Sequence, residues 1–137
     1  MNIWLVNTNS KEDNDNPHGF QYMLRHNKVS AYYDRRTEIN KIEPNDLILL
    51  YHNDNRIIAV GFALLKLSHD FQDIDNVEHW IDVNWFWKSN FNNEAPLNPI
   101  NRNDVEIKMV NGTVNNITNQ VNINKLLEEI GKRQNFL

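Results

Sequence analysis

The sequence predicts an α+β fold: a curved, mainly antiparallel, barrel-like sheet of five to six strands with three short helices packed on it. Three observations carry this. Strand-like segments follow one another through the middle of the chain rather than alternating strictly with helices, which favours antiparallel pairing. Two of them, residues 2–7 and 57–67, are apolar on both faces and so belong inside a sheet. Helical periodicity is confined to short stretches near residues 17–26, 37–42 and 123–131.

The elements follow in order. Asn2 to Asn7 is the first strand, with Met1, Ile3 and Leu5 alternating with Trp4 and Val6. Asn9 to Asn16 is a polar loop. Asn16 then caps a helix that has Pro17 at its first position and Phe20, Met23 and Leu24 on one face, running to about His26. Val29 to Tyr33 reads as a short strand, and Thr37 to Ile42 as a helical turn with Ile39 and Ile42 inward. Glu43-Pro44-Asn45-Asp46 has turn chemistry. Leu47 to Tyr51 is a buried strand, joined through His52-Asn53-Asp54-Asn55 to Ile57–Leu67, the longest strand. Gly61 inside it marks a bulge or a close approach of other backbone. After an acidic loop over 68–77 comes the strand Trp80–Lys88, with Ile81, Val83, Trp85 and Trp87 on one face. Asn90 to Asn103 is loop, and Asp104 to Val110 an edge strand. The last helix carries Ile123, Leu126, Leu127 and Ile130 inward and stops at Gly131.

With 137 residues the chain is read as one domain, 1–137, large enough to bury a core. It has no cysteine, so disulfides and thiolate metal sites are excluded. The longest apolar runs are too short to span a bilayer, and no signal peptide is visible; a cytoplasmic location without a membrane partner is expected. The net charge of −4 argues against a broad electrostatic grip on nucleic acid, so such a partner would need a local basic patch. The five histidines lack metal-ligand spacing, and there is no nucleophile elbow or Gly-rich phosphate loop. No catalytic residue, metal or cofactor is therefore expected.

Four segments carry a resemblance. Met1-Asn2-Ile3-Trp4-Leu5-Val6-Asn7, Glu43-Pro44-Asn45-Asp46-Leu47-Ile48-Leu49-Leu50-Tyr51-His52-Asn53, Ile58-Ala59-Val60-Gly61-Phe62-Ala63 and Trp80-Ile81-Asp82-Val83-Asn84-Trp85 resemble, in order and spacing, strands of EVE domains. Asn7-Thr8-Asn9, Ala31-Tyr32-Tyr33 and Gly61-Phe62-Ala63-Leu64 are similar to steps of the related YTH domains. Both are branches of the PUA-like superfamily. Asn45 stands where EVE domains usually have Gly, and a tyrosine where YTH domains have a Trp. The resemblance implies binding, not catalysis: a module that reads a modified, typically methylated, base of DNA or RNA flipped into an aromatic cage. It also implies a fused or associated nuclease or NTPase subunit as partner.

Such a reader needs aromatic faces for stacking and side-chain or backbone groups for the base edge. Tyr32, Tyr33 and Trp80 are the preferred cage members, with Trp4 and Trp85 in reserve. Asn7, Thr8, Asn9, Ser30, Tyr51 and His52 complete the expected base pocket. Strand alternation allows only one of Tyr32 and Tyr33 to face it. Arg25, Lys28, Arg35, Arg36 and Lys41 form the one locally basic stretch and are the expected phosphate contacts. Two alternatives compete. One is a protein-interaction or structural domain on the same fold, which requires an exposed apolar patch. The other is a metal-dependent nuclease using Glu106-Ile107-Lys108 with Asp82 or Asp104, which requires these residues on adjacent strands.

Overall fold

A computed structural model describes residues 1–8, 19–52, 56–64, 77–93, 95–108, 110 and 112–133. The chain runs β1 (Ile3–Thr8), α1 (Phe20–Arg25), β2 (Lys28–Tyr32), a 3-10 helix (Tyr33–Lys41), β3 (Leu47–His52), β4 (Arg56–Ala63) and β5 (Glu78–Lys88). The short strands β6 (Phe91–Asn92), β7 (Ala95–Pro96) and β8 (Ile100–Asn101) follow. A 3-10 turn (Arg102–Val105), β9 (Val114–Asn116) and α2 (Ile123–Arg133) complete it. The main sheet has the order β2-β5-β4-β3-β1-β9, with β8 on β4. Among these neighbours β1 and β3 are parallel and the other pairs antiparallel. The expected α+β, mainly antiparallel, curled sheet is thus present.

The residue pattern explains which strands are central. Trp4 and Val6 enter one apolar cluster and Ile3 and Leu5 another; β3 splits the same way, Ile48 and Leu50 against Leu47, Leu49 and Tyr51. The first cluster is covered by α1 through Phe20, Met23 and Leu24, by β2, and by Ile39 and Ile42. The second is covered by Leu126 and Ile130 of α2 together with Ile100, Val105, Ile107 and Ile117. Each buried Leu, Ile or Val stabilises by about 1.5–3 kcal/mol, so both faces of the sheet contribute.

The turn at residues 43–46 is pinned by its own aspartate. Asp46 Oδ2 accepts hydrogen bonds from Trp4 Nε1 at 2.8 Å and from the Glu43 N–H at 2.9 Å, and Oδ1 accepts from the Asn2 N–H at 3.0 Å. The tryptophan of the first strand is thereby fixed inside the protein.

Gly61 behaves as expected. A Cβ there would lie 2.5 Å from the Asn84 carbonyl oxygen and 2.8 Å from Val83 Cγ1. At this close approach β5 carries a bulge: Val60 faces Trp87 while Gly61 faces Trp85, leaving Phe86 as the extra residue. The bulge inverts the alternation. Ile81, Val83 and Trp85 lie in the first cluster, but Trp87 lies in the second, contrary to the shared face expected of them. A second irregularity leaves Ile58 unmatched between Leu50–Ala59 and Tyr51–Ile57.

Four further expectations are corrected. β5, with 11 residues, exceeds β4, with 8. The segment expected as an edge strand over 104–110 instead opens with the 3-10 turn and a left-handed Glu106, and the edge belongs to β9. Val105 and Ile107 bury themselves from this turn, so their alternation satisfies the core without a ladder. In α2, Leu127 is exposed, because Leu126 and Ile130 make a narrower stripe. The helix also continues past Gly131 to Arg133, whose guanidinium donates to the Asn98 and Pro99 carbonyls at 2.6 and 2.8 Å and holds the last turn. The expected start of the first helix at Asn16 and Pro17 lies outside the described residues.

The sheet curls far enough for its two edges to communicate. β2 and β9 stand at opposite ends of the strand order. Yet the Val114 N–H donates to Glu38 Oε1, on the 3-10 helix that follows β2, at 3.5 Å. Between these edges lies a cleft.

Candidate functional site

The cleft has a volume of about 450 Å³. One wall is the end of β1, with Asn7 and Thr8. The opposite wall is the end of β2 and the start of the 3-10 helix, with Ser30, Tyr32, Tyr33, Asp34 and Arg35. Gly112 and Thr113 close a third side, and Met23 of α1 lies beneath. The Asn7 N–H donates to the Thr113 carbonyl at 2.7 Å, which fixes the first wall to the third.

Both tyrosines face this cleft, not one of them. Strand alternation ends at Tyr32, because Tyr33 has φ of +52°. A bulky aromatic in the left-handed region is uncommon and strained, by about 1–3 kcal/mol. Two contacts hold it there: the Tyr33 N–H donates to the Val77 carbonyl at 2.7 Å, and Arg36 Nη1 donates to the Tyr33 carbonyl at 2.8 Å. Tyr32 is buried, whereas Tyr33 is 40% exposed. One ring therefore forms wall and the other rim.

The polar groups differ in how far they are already satisfied. Asn7 Oδ1 is buried and has no hydrogen-bond partner among the described residues. The Ser30 hydroxyl donates to Glu78 Oε2 at 2.5 Å. Glu78 is in turn ion-paired with Lys28 Nζ at 3.0 Å, both side chains being more than nine-tenths buried. At the rim, Arg35 Nη1 lies 3.5 Å from Glu38 Oε2, and the guanidinium remains mostly exposed.

Five of the eleven expected pocket residues meet at this cleft: Asn7, Thr8, Ser30, Tyr32 and Tyr33. Asn9 lies outside the described residues. The others are elsewhere. Trp4 is buried against Asp46, and Trp85 belongs to the same apolar cluster. Tyr51 points into the opposite cluster, as the pleat of β3 requires. His52 is buried with its ring edge-on to Phe20, centroids 5.4 Å apart. Trp80 is half-buried and its ring covers Lys28 Nζ at 4.3 Å.

The basic stretch also disperses. Arg35 alone of the five lines the cleft. Lys28 cannot contact a phosphate: its ammonium is enclosed by Glu78, by the rings of Tyr22 and Trp80, and by the Tyr22 hydroxyl at 3.1 Å. Arg36 is occupied with the Tyr33 carbonyl. Lys41 is exposed on the last turn of the 3-10 helix, and Arg25 borders a separate shallow groove with Phe20, Lys88 and Phe91.

Sequence reasoning missed Met23, Asp34, Gly112 and Thr113 as lining residues, and Glu78 behind them. Asp34 adjoins the tyrosines and was within reach of that reasoning. Nothing local to Gly112-Thr113 signals a neighbour some eighty residues earlier; Gly112 sits with φ of +80°, 3.0 Å from Arg35 Nη1 when given a Cβ.

The Glu-x-Lys segment does not lie on a strand, as the nuclease alternative required. Glu106 is exposed at the end of the 3-10 turn, 3.7 Å from Lys125 of α2. A hydrogen bond from Asn122 and the charge of Lys125 hold its carboxyl below the usual range. Among the described residues no three acidic, His or Cys side chains converge as metal ligands. No helix among them is long and apolar enough to cross a membrane.

No family model and no curated protein matches the chain. It is similar to a solved structure, the NMR structure of Rpa0253 from Rhodopseudomonas palustris. The likeness has a TM-score of 0.52 at 12% identity and covers 96% of this chain and 94% of that one. At that identity the similarity concerns the fold alone.

Proposed function

We propose that the chain is a non-catalytic, PUA-like module of the EVE and YTH kind, which holds an extruded, modified base of DNA or RNA in the cleft between Asn7 and Tyr33. The observation that carries this is the pair of adjacent tyrosines lining one cleft, with Tyr33 in the left-handed region, together with Asn7, whose Oδ1 has no partner among the described residues. The volume lies within the range of roughly 300–1,000 Å³ typical of ligand sites. Extruding a base costs a few kcal/mol, and stacking on an aromatic ring returns roughly 1–3 kcal/mol. A buried methyl adds about 0.8 kcal/mol, or about fourfold in affinity. Arg35 at the rim suits a flanking phosphate. With net charge −4 and one arginine at the cleft, most of the backbone grip would come from a fused or associated nuclease or NTPase subunit.

The test is fluorescence-anisotropy titration of short single-stranded DNA and RNA at low salt, each carrying one central base with or without a methyl group. Tighter binding of a methylated strand, weakened in Tyr33→Ala, is the expected result. Equal or absent binding across all strands overturns it.

A second reading, a protein-interaction domain on the same fold, is favoured by Phe62 and Leu64. These are 41% and 43% exposed, Phe62 on β4 and Leu64 just beyond its end, with the Phe62 and Phe86 rings 5.4 Å apart. It predicts that Phe62→Ser, and not Tyr33→Ala, abolishes the interaction of the chain with its partner protein.

A further inference from the structure

α1 borders a second concavity, a shallow groove of about 270 Å³ that shares no lining residue with the cleft. Its apolar lining is Phe20 and Leu24 of α1 and Phe91 of β6. Two charged side chains join them, Arg25 from the end of α1 and Lys88 from the end of β5, and both are cations. Neither is ion-paired among the described residues, in contrast to Lys28, whose ammonium is held by Glu78. The chain as a whole carries a charge of −4. Two uncompensated positive groups beside one apolar groove are a local exception to that balance, and they fix the sign of what the groove attracts.

The shape of the groove narrows the occupant further. Its volume falls below the roughly 300–1,000 Å³ of small-ligand sites and suits one large side chain. The two rings close on each other: Phe20 is buried, and Phe91 stacks on it with centroids 5.2 Å apart, so no slot opens between them for a heterocycle. The Ser89 hydroxyl, also on the lining, is already spent on Asn98 Oδ1 at 2.9 Å. What apolar side chains with flanking cations reward is an aliphatic or aromatic anchor set between carboxylates.

We infer that this groove docks a segment of a partner protein in which an apolar side chain is flanked by acidic residues. The anchor covers Phe91 and Leu24, and the carboxylates meet Arg25 and Lys88. This site is independent of the base-reading role and of the patch around Phe62, since it uses residues of neither.

Two synthetic peptides test it. Each has one central phenylalanine, flanked on both sides by a pair of aspartates or, in the control, by a pair of lysines. They are titrated at low salt into the isotope-labelled whole chain and followed by amide chemical shifts. The aspartate peptide should bind and shift the amides of Leu24 and Phe91, and the lysine peptide should not bind. Replacing the central phenylalanine by alanine should weaken binding about 10-fold or more. Arg25→Glu combined with Lys88→Glu should abolish binding of the aspartate peptide and create binding of the lysine peptide, an inversion that an unfolded variant cannot produce. Tyr33→Ala should leave peptide binding unchanged; a loss there would put the peptide in the cleft and overturn the proposal. Equal binding of both peptides, binding of neither, or no inversion in the double variant overturns it as well. So does a wild type that ignores both peptides while the double variant loses oligonucleotide binding or self-association, since the occupant would then be a nucleic acid or a second copy.

Discussion

The two ends of β2 hold the same ingredients and reach opposite outcomes. At its start, Lys28 meets the rings of Tyr22 and Trp80, at 4.5 and 4.3 Å, with Glu78 as counter-ion. At its finish, Tyr32 and Tyr33 meet Arg35. In the first case the chain supplies its own cation and the aromatic slot is filled. In the second the rings border a cleft of about 450 Å³ that the chain leaves open. Aromatic and basic residues close together in sequence thus mark a place where something sits between rings. Whether that something is a side chain or a ligand depends on where the counter-charge is spent: β5 sets Glu78 opposite Tyr32, but its carboxylate reaches back along β2 to Ser30 and Lys28, so it neutralises the cation at the start of the strand.

The contrast can be broken at either end. The largest effect is expected at the filled end. Lys28→Ala leaves the Glu78 carboxylate buried without its cation and should destabilise the protein by about 3–5 kcal/mol, measured from the urea midpoint. Replacing the pair together, with Lys28→Met and Glu78→Leu, should recover most of that loss, because two apolar groups need no counter-charge. If Lys28→Ala is instead nearly neutral, the enclosed cation is not structural and the contrast fails.

At the open end the effects should fall on binding. Tyr33→Ala and Tyr33→Gly should both weaken oligonucleotide binding, roughly 5- to 150-fold for the loss of one stacking face. Their stabilities should separate: Gly adopts the φ of +52° without strain, so the Gly variant should be the more stable by about 1 kcal/mol. Equal stability of the two would mean that the backbone at Tyr33 relaxes once the ring is gone.

The smallest effect calibrates the first. Arg133 and Glu129 form an i,i+4 ion pair at 2.8 Å on α2, near the surface. The hydrogen bond from Arg133, aided by Lys132, holds the Glu129 carboxyl below its ordinary value of 4.5. A depressed folded-state value means that the contribution is complete above the ordinary value and is lost as pH falls through the folded one. Glu129→Gln should therefore lower stability by about 0.5 kcal/mol at neutral pH and remove that part of the acid loss, read from melts between neutral and acid pH. A cost as large as that of Lys28→Ala would erase the distinction between buried and exposed pairs.

Much of the fold was legible. The strands β1, β3, β4 and β5 follow from alternation and apolar content, the turn at 43–46 from Pro, Asn and Asp, and the bulge from Gly61. Part of the cleft was legible too, since Asn7, Thr8, Ser30, Tyr32 and Tyr33 were grouped through a family resemblance and do line one cavity. Trp4, Trp85, Tyr51 and His52 were grouped by the same logic but do not line it; they are buried in or against the two apolar clusters, and Tyr32, which does line it, is buried in the first cluster as well. The sequence offers no local mark that separates an aromatic lining a cavity from one filling a core, because both need the same apolar neighbours. The segment 104–110 misled for a related reason: Val105 and Ile107 alternate as in a strand, but they are buried from the end of a 3-10 turn and the irregular residues just after it.

By itself the sequence determined the class of fold, the central strands and the tight approach at Gly61, because side-chain period and backbone sterics act over a few residues. Only the tertiary structure decided three things. It carried Trp87 to the other face through the bulge at Phe86, enclosed Lys28 against Glu78, and brought Gly112 and Thr113 across to Tyr33. Each depends on strand register and on how far the sheet curls, and these are fixed by pairings between residues far apart in the chain.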